Sequence, residues 1–190
     1  MRKKEMKKLY NLEYEMNHKG KVVEKAVYVG EYYQFQQPGY TKRQVTQRIV
    51  IFSIIITASI IGAALLNTES TRNFFIGVPY VCLFLPVCYM LIGTGSFFTA
   101  PERMNKIEYA HSILRTQRSM WGIIWLQLYS ILAGIVFLIV KFSEIALWRE
   151  IIFVGMNGIS LLFCWVQIKY IQKACATVKV ESTMDQEEPK

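Results

Sequence analysis

The sequence predicts an all-α membrane protein: four transmembrane helices, arranged as two hairpins, with a small cytoplasmic N-terminal β-hairpin. Three observations predict it. Four apolar runs, Ile49–Leu66, Phe74–Phe98, Met120–Val140 and Ile151–Ile168, contain no Asp, Glu, Lys or Arg. Each approaches the roughly 20 residues that a helix needs to cross a bilayer. The charges gather between the runs, and unevenly so. Ahead of the first run, apolar and polar residues alternate with the period of a strand.

Residues 1–40 form the expected cytoplasmic N-terminal segment, 41–172 the transmembrane domain and 173–190 a cytoplasmic tail. The opening Met1-Arg2-Lys3-Lys4 is basic like the start of a signal peptide, but no apolar stretch follows, so no cleaved signal is expected. Leu12, Tyr14 and Met16 alternate with Asn11, Glu13 and Glu15. Asn17-His18-Lys19-Gly20 supplies turn chemistry, and Val22–Tyr33, rich in Val and Tyr, fits the return strand. A lone hairpin is marginal in water, so this one must pack on a neighbour. Pro38-Gly39 ends the pattern, and Tyr40–Arg48 leads into the first span.

Asn67–Asn73 and Lys141–Glu150 are short links between spans. In the second span Pro79 and Pro86 remove main-chain donors and bend the helix, while Gly93 and Gly95 loosen its later end. In the middle loop Thr99-Ala100-Pro101-Glu102 matches a capping box with proline early in the helix. Met104, Ile107, His111 and Leu114 follow at helical spacing, on a helix that runs toward the third span. The polar tail after Val180 reads as disordered.

Of the 22 basic residues, eleven precede the first span, four lie in the middle loop and four follow the fourth span. Only Arg72, Lys141 and Arg149 fall in the other two links. The positive-inside rule then predicts that both termini are cytoplasmic. Trp121, Trp125, Trp148, Trp165 and Tyr170 sit at span ends, the depth at which amphipathic rings settle. A net charge of +8 could suggest nucleic acid. Here the basic residues flank spans and no recognition fold accompanies them, so the bilayer is the expected partner and nucleic acid is not.

A weak repeat is visible. Thr46-Gln47-Arg48 precedes the first span and Thr116-Gln117-Arg118 the third; Phe75-Ile76-Gly77 opens the second and Phe153-Val154-Gly155 the fourth. Two hairpins in the same orientation would be related by a two-fold axis along the membrane normal, with a seam between them.

Catalytic signals are lacking. His18 and His111 stand alone, no HExxH or GxSxG is present, and no cysteine pair has metal-knuckle spacing. Cys82, Cys88 and Cys164 lie within spans, where cysteine behaves as a small hydrophobe, and Cys175 is expected reduced. We expect no enzyme, cofactor or metal. Gln127 and Asn157 are the most informative polar residues, since an amide in a span needs a partner inside the protein. They either line a polar path or fix helix packing, and packing is the commoner use. Tyr80 and Pro86 mark the bent span; Ser130 and Gly134, four apart, suit close helix contact. Ala58 with Gly62, and Gly155 with Gly158, offer the same. Arg103, Lys106, Arg115 and Arg118 are placed to meet lipid headgroups. The expected role is a small subunit or accessory factor of a membrane complex, with another membrane protein or a second copy as partner. The alternative is a small oligomeric transporter or channel with a solute path between the two hairpins.

Overall fold

The computed structural model describes residues 10–16, 22–28, 32–35, 41–141, 147–174 and 177–180. Four long helical stretches dominate: α1 (Lys42–Leu65), α3 (Phe74–Cys82) continued by α4 (Phe84–Thr99), α5 (Lys106–Tyr109) continued through a π-helical turn (Ala110–Leu114) into α6 (Arg115–Val140), and α7 (Leu147–Ala174). All four are long and apolar enough to cross a membrane. A four-residue helix, α2 (Glu69–Arg72), links α1 to α3. We call the end where α1 begins and α7 finishes the near end, and the opposite one the far end.

The helices form a closed ring in which α1 packs on α7, α7 on α6, α6 on α3 and α4, and α4 on α1. One spacing recurs in all of them. Buried positions alternate three and four residues apart: Thr46, Ile49, Ser53, Ile56, Ile60 and Ala63 in α1; Ile76, Tyr80, Leu83, Val87, Met90, Thr94 and Phe97 through α3 and α4. Thr116, Met120, Ile123, Gln127, Ser130 and Gly134 continue it in α6; Glu150, Phe153, Asn157, Ser160, Cys164, Gln167, Ile171 and Ala174 in α7. This is the 3.5-residue period that keeps one seam of a helix facing its neighbours in a left-handed bundle. The outward positions are apolar too, with Leu85, Leu132 and Leu162 among the exposed side chains. A helix apolar on all faces suits a lipid surrounding.

The second long helix is interrupted at Leu83, one turn before Pro86, whose ring cannot donate to the carbonyl of Cys82. Pro79 acts differently. It sits inside α3 and cannot donate to the carbonyl of Phe75. The Tyr129 hydroxyl of α6 donates to that carbonyl instead, at 3.2 Å. At the far end Asn67 takes a left-handed φ of 46°, which a short polar side chain tolerates, and the chain turns into α2.

At the near end, strands β1 (Tyr10–Met16) and β2 (Val22–Tyr28) pair antiparallel, from Tyr10 opposite Tyr28 to Met16 opposite Val22. The expected hairpin therefore forms, with its turn at 17–20 outside the described residues. The return strand is shorter than expected. Tyr32–Phe35 leaves it as β3, the central strand of a second sheet, between β4 (Arg103–Asn105) and β5 (Thr177–Val180). Both pairings are antiparallel, with Tyr33 opposite Met104 and Lys179. The tail expected after Val180 lies outside the described residues, as does Cys175.

The middle loop also departs from expectation. Thr99 ends α4 rather than starting a helix. The capping box stands six residues later: the Asn105 side chain accepts from the Glu108 N–H at 2.8 Å, and the Glu108 carboxylate accepts from the Asn105 N–H at 3.0 Å. Met104 is fully buried from a strand, not from a helix face.

Small residues contribute closeness at an unexpected place. A methyl group on Gly93 would collide with the Thr116 hydroxyl and come within 3.1 Å of the Thr116 main-chain nitrogen. Gly93 thus sets how near α4 approaches the start of α6. Gly134 has ordinary contact room, 3.5 Å from Val154 Cγ2, and Gly155 and Gly158 face open space. The close approach expected of them is not made among the described residues.

Two outcomes follow for thermal unfolding in mild detergent. Gly93→Ala should destabilise by about 1–3 kcal/mol, the usual cost of overpacking, and Gly134→Ala by much less; equal effects would contradict the close approach at Gly93. Tyr129→Phe should cost about 0.6–1 kcal/mol, typical of hydrogen bonds between membrane helices. In a Pro79→Ala background, where residue 79 can donate to Phe75 itself, that cost should largely vanish.

Candidate functional site

The seam that holds the bundle together is also where its polar side chains converge. Near the near-end third, the Gln167 amide of α7 donates to the Ser53 hydroxyl of α1 at 3.1 Å and to the Ile49 carbonyl at 3.4 Å. The Ser53 hydroxyl lies 3.2 Å from that of Thr94 in α4. All three side chains are buried, and together they tie three helices. Toward the far end, Tyr80 is likewise committed: its hydroxyl donates to the Ile60 carbonyl at 2.6 Å, and its ring lies 5.3 Å from that of Phe153. It anchors α3 to α1 and α7.

Between these two ties lies a different group. Trp121 and Trp165 meet edge to face at 6.3 Å, and Gly134 faces Val154 and Phe153. Counting inward from both contacts along the antiparallel pair brings Gln127 level with Ser160 and Ser130 level with Asn157. All four are fully buried. Ser130 donates to the Leu126 carbonyl at 2.9 Å, and Asn157 donates to the Phe153 carbonyl at 2.8 Å. Both bonds stay within their own helices. Both polar atoms of the Gln127 amide, Asn157 Oδ1 and Ser160 Oγ have no hydrogen-bond partner among the described residues. Burying an unpaired amide costs stability. Of the expected site residues, therefore, the structure brings Gln127, Ser130 and Asn157 together at mid-height between α6 and α7. Tyr80 serves as a tie, Pro86 packs where Gly122 lets α6 approach, and Gly134 lies one turn beyond Ser130.

The four expected headgroup residues divide. Arg103 belongs to the sheet, its guanidinium 4.4 Å from the centre of the Tyr32 ring. Lys106 opens α5, where its main-chain N–H donates to the Tyr28 hydroxyl at 3.1 Å. Arg115 and Arg118 line a separate cavity with His111.

Two buried residues carry more than the sequence reading assigned them. Gln167 fits the three–four alternation after Asn157, Ser160 and Cys164, which was the available signal. Glu150, expected to close the short link Lys141–Glu150, is only 2% exposed, and its carboxylate accepts from the Ser70 N–H of α2 at 3.0 Å. It holds the far-end loop onto α7.

No family model, curated protein or solved structure matches the chain. Among the described residues, no cluster of three His, Cys, Asp or Glu side chains could hold a metal ion.

The two amides should respond in opposite ways to the same change. Gln167→Leu should destabilise by about 1–3 kcal/mol, because the Ser53 hydroxyl and the Ile49 carbonyl lose a buried donor. Gln127→Leu should leave stability unchanged or raise it, because an unpaired amide is replaced by an apolar group of similar volume. Chemical unfolding of both variants in detergent measures this, and a large loss for Gln127→Leu would show that its amide is bonded after all.

Proposed function

We propose that the chain is a non-enzymatic, four-span membrane protein with both ends in the cytoplasm, serving as a small subunit or accessory factor of a membrane complex. The observation that carries this reading is the composite sheet. β3 stands between β4 and β5, so the N-terminal segment, the middle loop and the segment after α7 share one surface at the near end. β4 and β5 are its outer strands, and an outer strand presents main-chain groups to an incoming strand. Charge supports the orientation: 19 of the 22 basic residues belong to segments at this end. The far-end links are short, so a partner finds its surface at the near end or along the lipid-facing helices.

A pull-down in mild detergent tests this directly. A membrane partner should be recovered in stoichiometric amount, and disrupting β3 with Gln34→Pro should release it, since proline removes a sheet donor. Recovery of the protein alone as a stable monomer would overturn the reading.

The unpaired group at Gln127, Asn157 and Ser160 favours one second reading: a small transporter or channel with a polar path between the helical hairpins. Proteins retain unpaired buried polar groups at a stability cost where activity needs them. In liposomes, solute flux abolished by Asn157→Leu with folding intact would favour transport. Flux that is absent for every solute tested leaves the accessory role ahead.

A further inference from the structure

The helix that leads into the third span is built irregularly. Arg115 N–H donates to the Ala110 carbonyl, five residues back, which closes a π-helical turn. Such turns widen a helix and disturb its regular bonding. Three hydroxyls attend the disturbed region: Ser112 donates to the Glu108 carbonyl at 2.6 Å, Thr116 to that of Ser112 at 2.8 Å, and Ser119 to that of Arg115 at 2.8 Å. The turn is thus stably held, and it borders a cavity of about 490 Å³.

The lining of that cavity is one-sided in charge. His111, Arg115 and Arg118 supply it from the turn and the start of α6, Tyr89 from α4, and Ser119 and Ile107 complete it. Among the described residues, no carboxylate lines it. The nearest acid in sequence, Glu108, is engaged with the Asn105 N–H. The Arg115 guanidinium lies 2.7 Å from His111 Nδ1. A guanidinium can only donate, so Nδ1 accepts and the ring is left with its N–H at Nε2. The remaining guanidinium donors of Arg115, with Arg118, His111 Nε2–H and the Tyr89 hydroxyl, then form a donor set with no anionic acceptor among the described residues. Arg115 and Arg118, three apart on one helix, repel each other unless an anion lies between them.

Position identifies the anion. One and two turns further along α6 come Trp121 and Trp125, with Trp165 against Trp121 from α7. Tryptophan at a span end marks headgroup depth. We propose that the cavity bounded by Tyr89, His111, Arg115 and Arg118 binds the phosphate of an anionic lipid headgroup. This rests on the reading that the four helices cross a membrane, and it is independent of the partner proposed for the sheet. The headgroup phosphate neutralises Arg115 and Arg118 and fixes the height at which the third span enters the bilayer.

The test compares the purified full-length protein with phosphatidylglycerol, phosphatidylcholine or inorganic phosphate added in detergent, read by thermal shift and by lipid retention in native mass spectrometry. Resistance of the protein to alkaline extraction from membranes checks the spanning reading separately. Phosphatidylglycerol should bind and stabilise, and phosphatidylcholine should do so far less. Arg118→Gln, at an exposed position where folding is not at stake, should weaken phosphatidylglycerol binding about tenfold, in keeping with one lost charged hydrogen bond. Arg115→Gln should weaken it at least as much, and Arg115→Lys should restore part of it. Lys173→Gln, a basic residue at the same end outside the cavity, should leave it unchanged. Stabilisation by inorganic phosphate equal to that by the lipid would keep the phosphate chemistry and make the ligand soluble. Unchanged lipid binding in Arg118→Gln and Arg115→Gln, or equal binding of the two lipids, would overturn the proposal.

Discussion

Every other feature of the bundle depends on the alternation of three and four residues between buried positions. A helix surrounded by apolar side chains has no polar face to orient it. What orients these helices is that one seam carries the groups needing a neighbour: hydroxyls, amides and close-packing small residues. Ser53, Thr94 and Gln167 meet because each occupies a seam position in its own helix. Had the spacing drifted by one residue, Gln167 would face outward and the hydroxyls would lose their partner. Apolar residues fill the seam, but its polar residues specify which helix faces which. A lipid surrounding gives apolar side chains little reason to prefer one neighbour over another.

The same constraint explains how proline is accommodated. Pro79 leaves the Phe75 carbonyl without its helical donor, and in an apolar surrounding such a group must be satisfied inside the protein. Tyr129, itself partly exposed, supplies the bond from the adjoining helix. The vacancy left by proline becomes a contact between α3 and α6, and further along the same helix Gly93 permits the close approach of α4 to Thr116.

The four long apolar helices were legible because uncharged runs of that length have few other uses, and the hairpin because its alternation is local. The composite sheet was not. β3 pairs with strands about 70 and 145 residues away, and neither β4, with three residues, nor β5, with four, shows a period of its own. The capping box was misplaced for a related reason. Thr99 with Glu102 and Asn105 with Glu108 satisfy the same spacing, and Pro101 favoured the first. Tertiary structure chose the second, because Met104 must first enter the core as part of a strand. The two ends of the expected repeat behave differently. Thr46 and Thr116 are both buried and both donate to the carbonyl four residues back, at 2.8 Å in each case. Phe75 and Phe153 are not equivalent, since the first is 72% exposed and the second fully buried.

Within the candidate site, residue type was legible and partnership was not. Gln127, Asn157 and Gln167 are all amides in apolar runs, and no local pattern distinguishes them. What distinguishes them is what lies opposite. Gln167 faces Ser53 and the Ile49 carbonyl, where its amide is used. Gln127 comes level with Ser160, whose hydroxyl is also unpaired among the described residues. The bundle thus contains one polar group that secures it and another that it carries at a cost. The first would be expected in any stable bundle of this spacing. The second sits at mid-height on the seam between α6 and α7, where, unlike Gln167 with its bonded Nε2, the Gln127 amide has neither polar atom paired among the described residues, so a role beyond packing has its best physical grounds there.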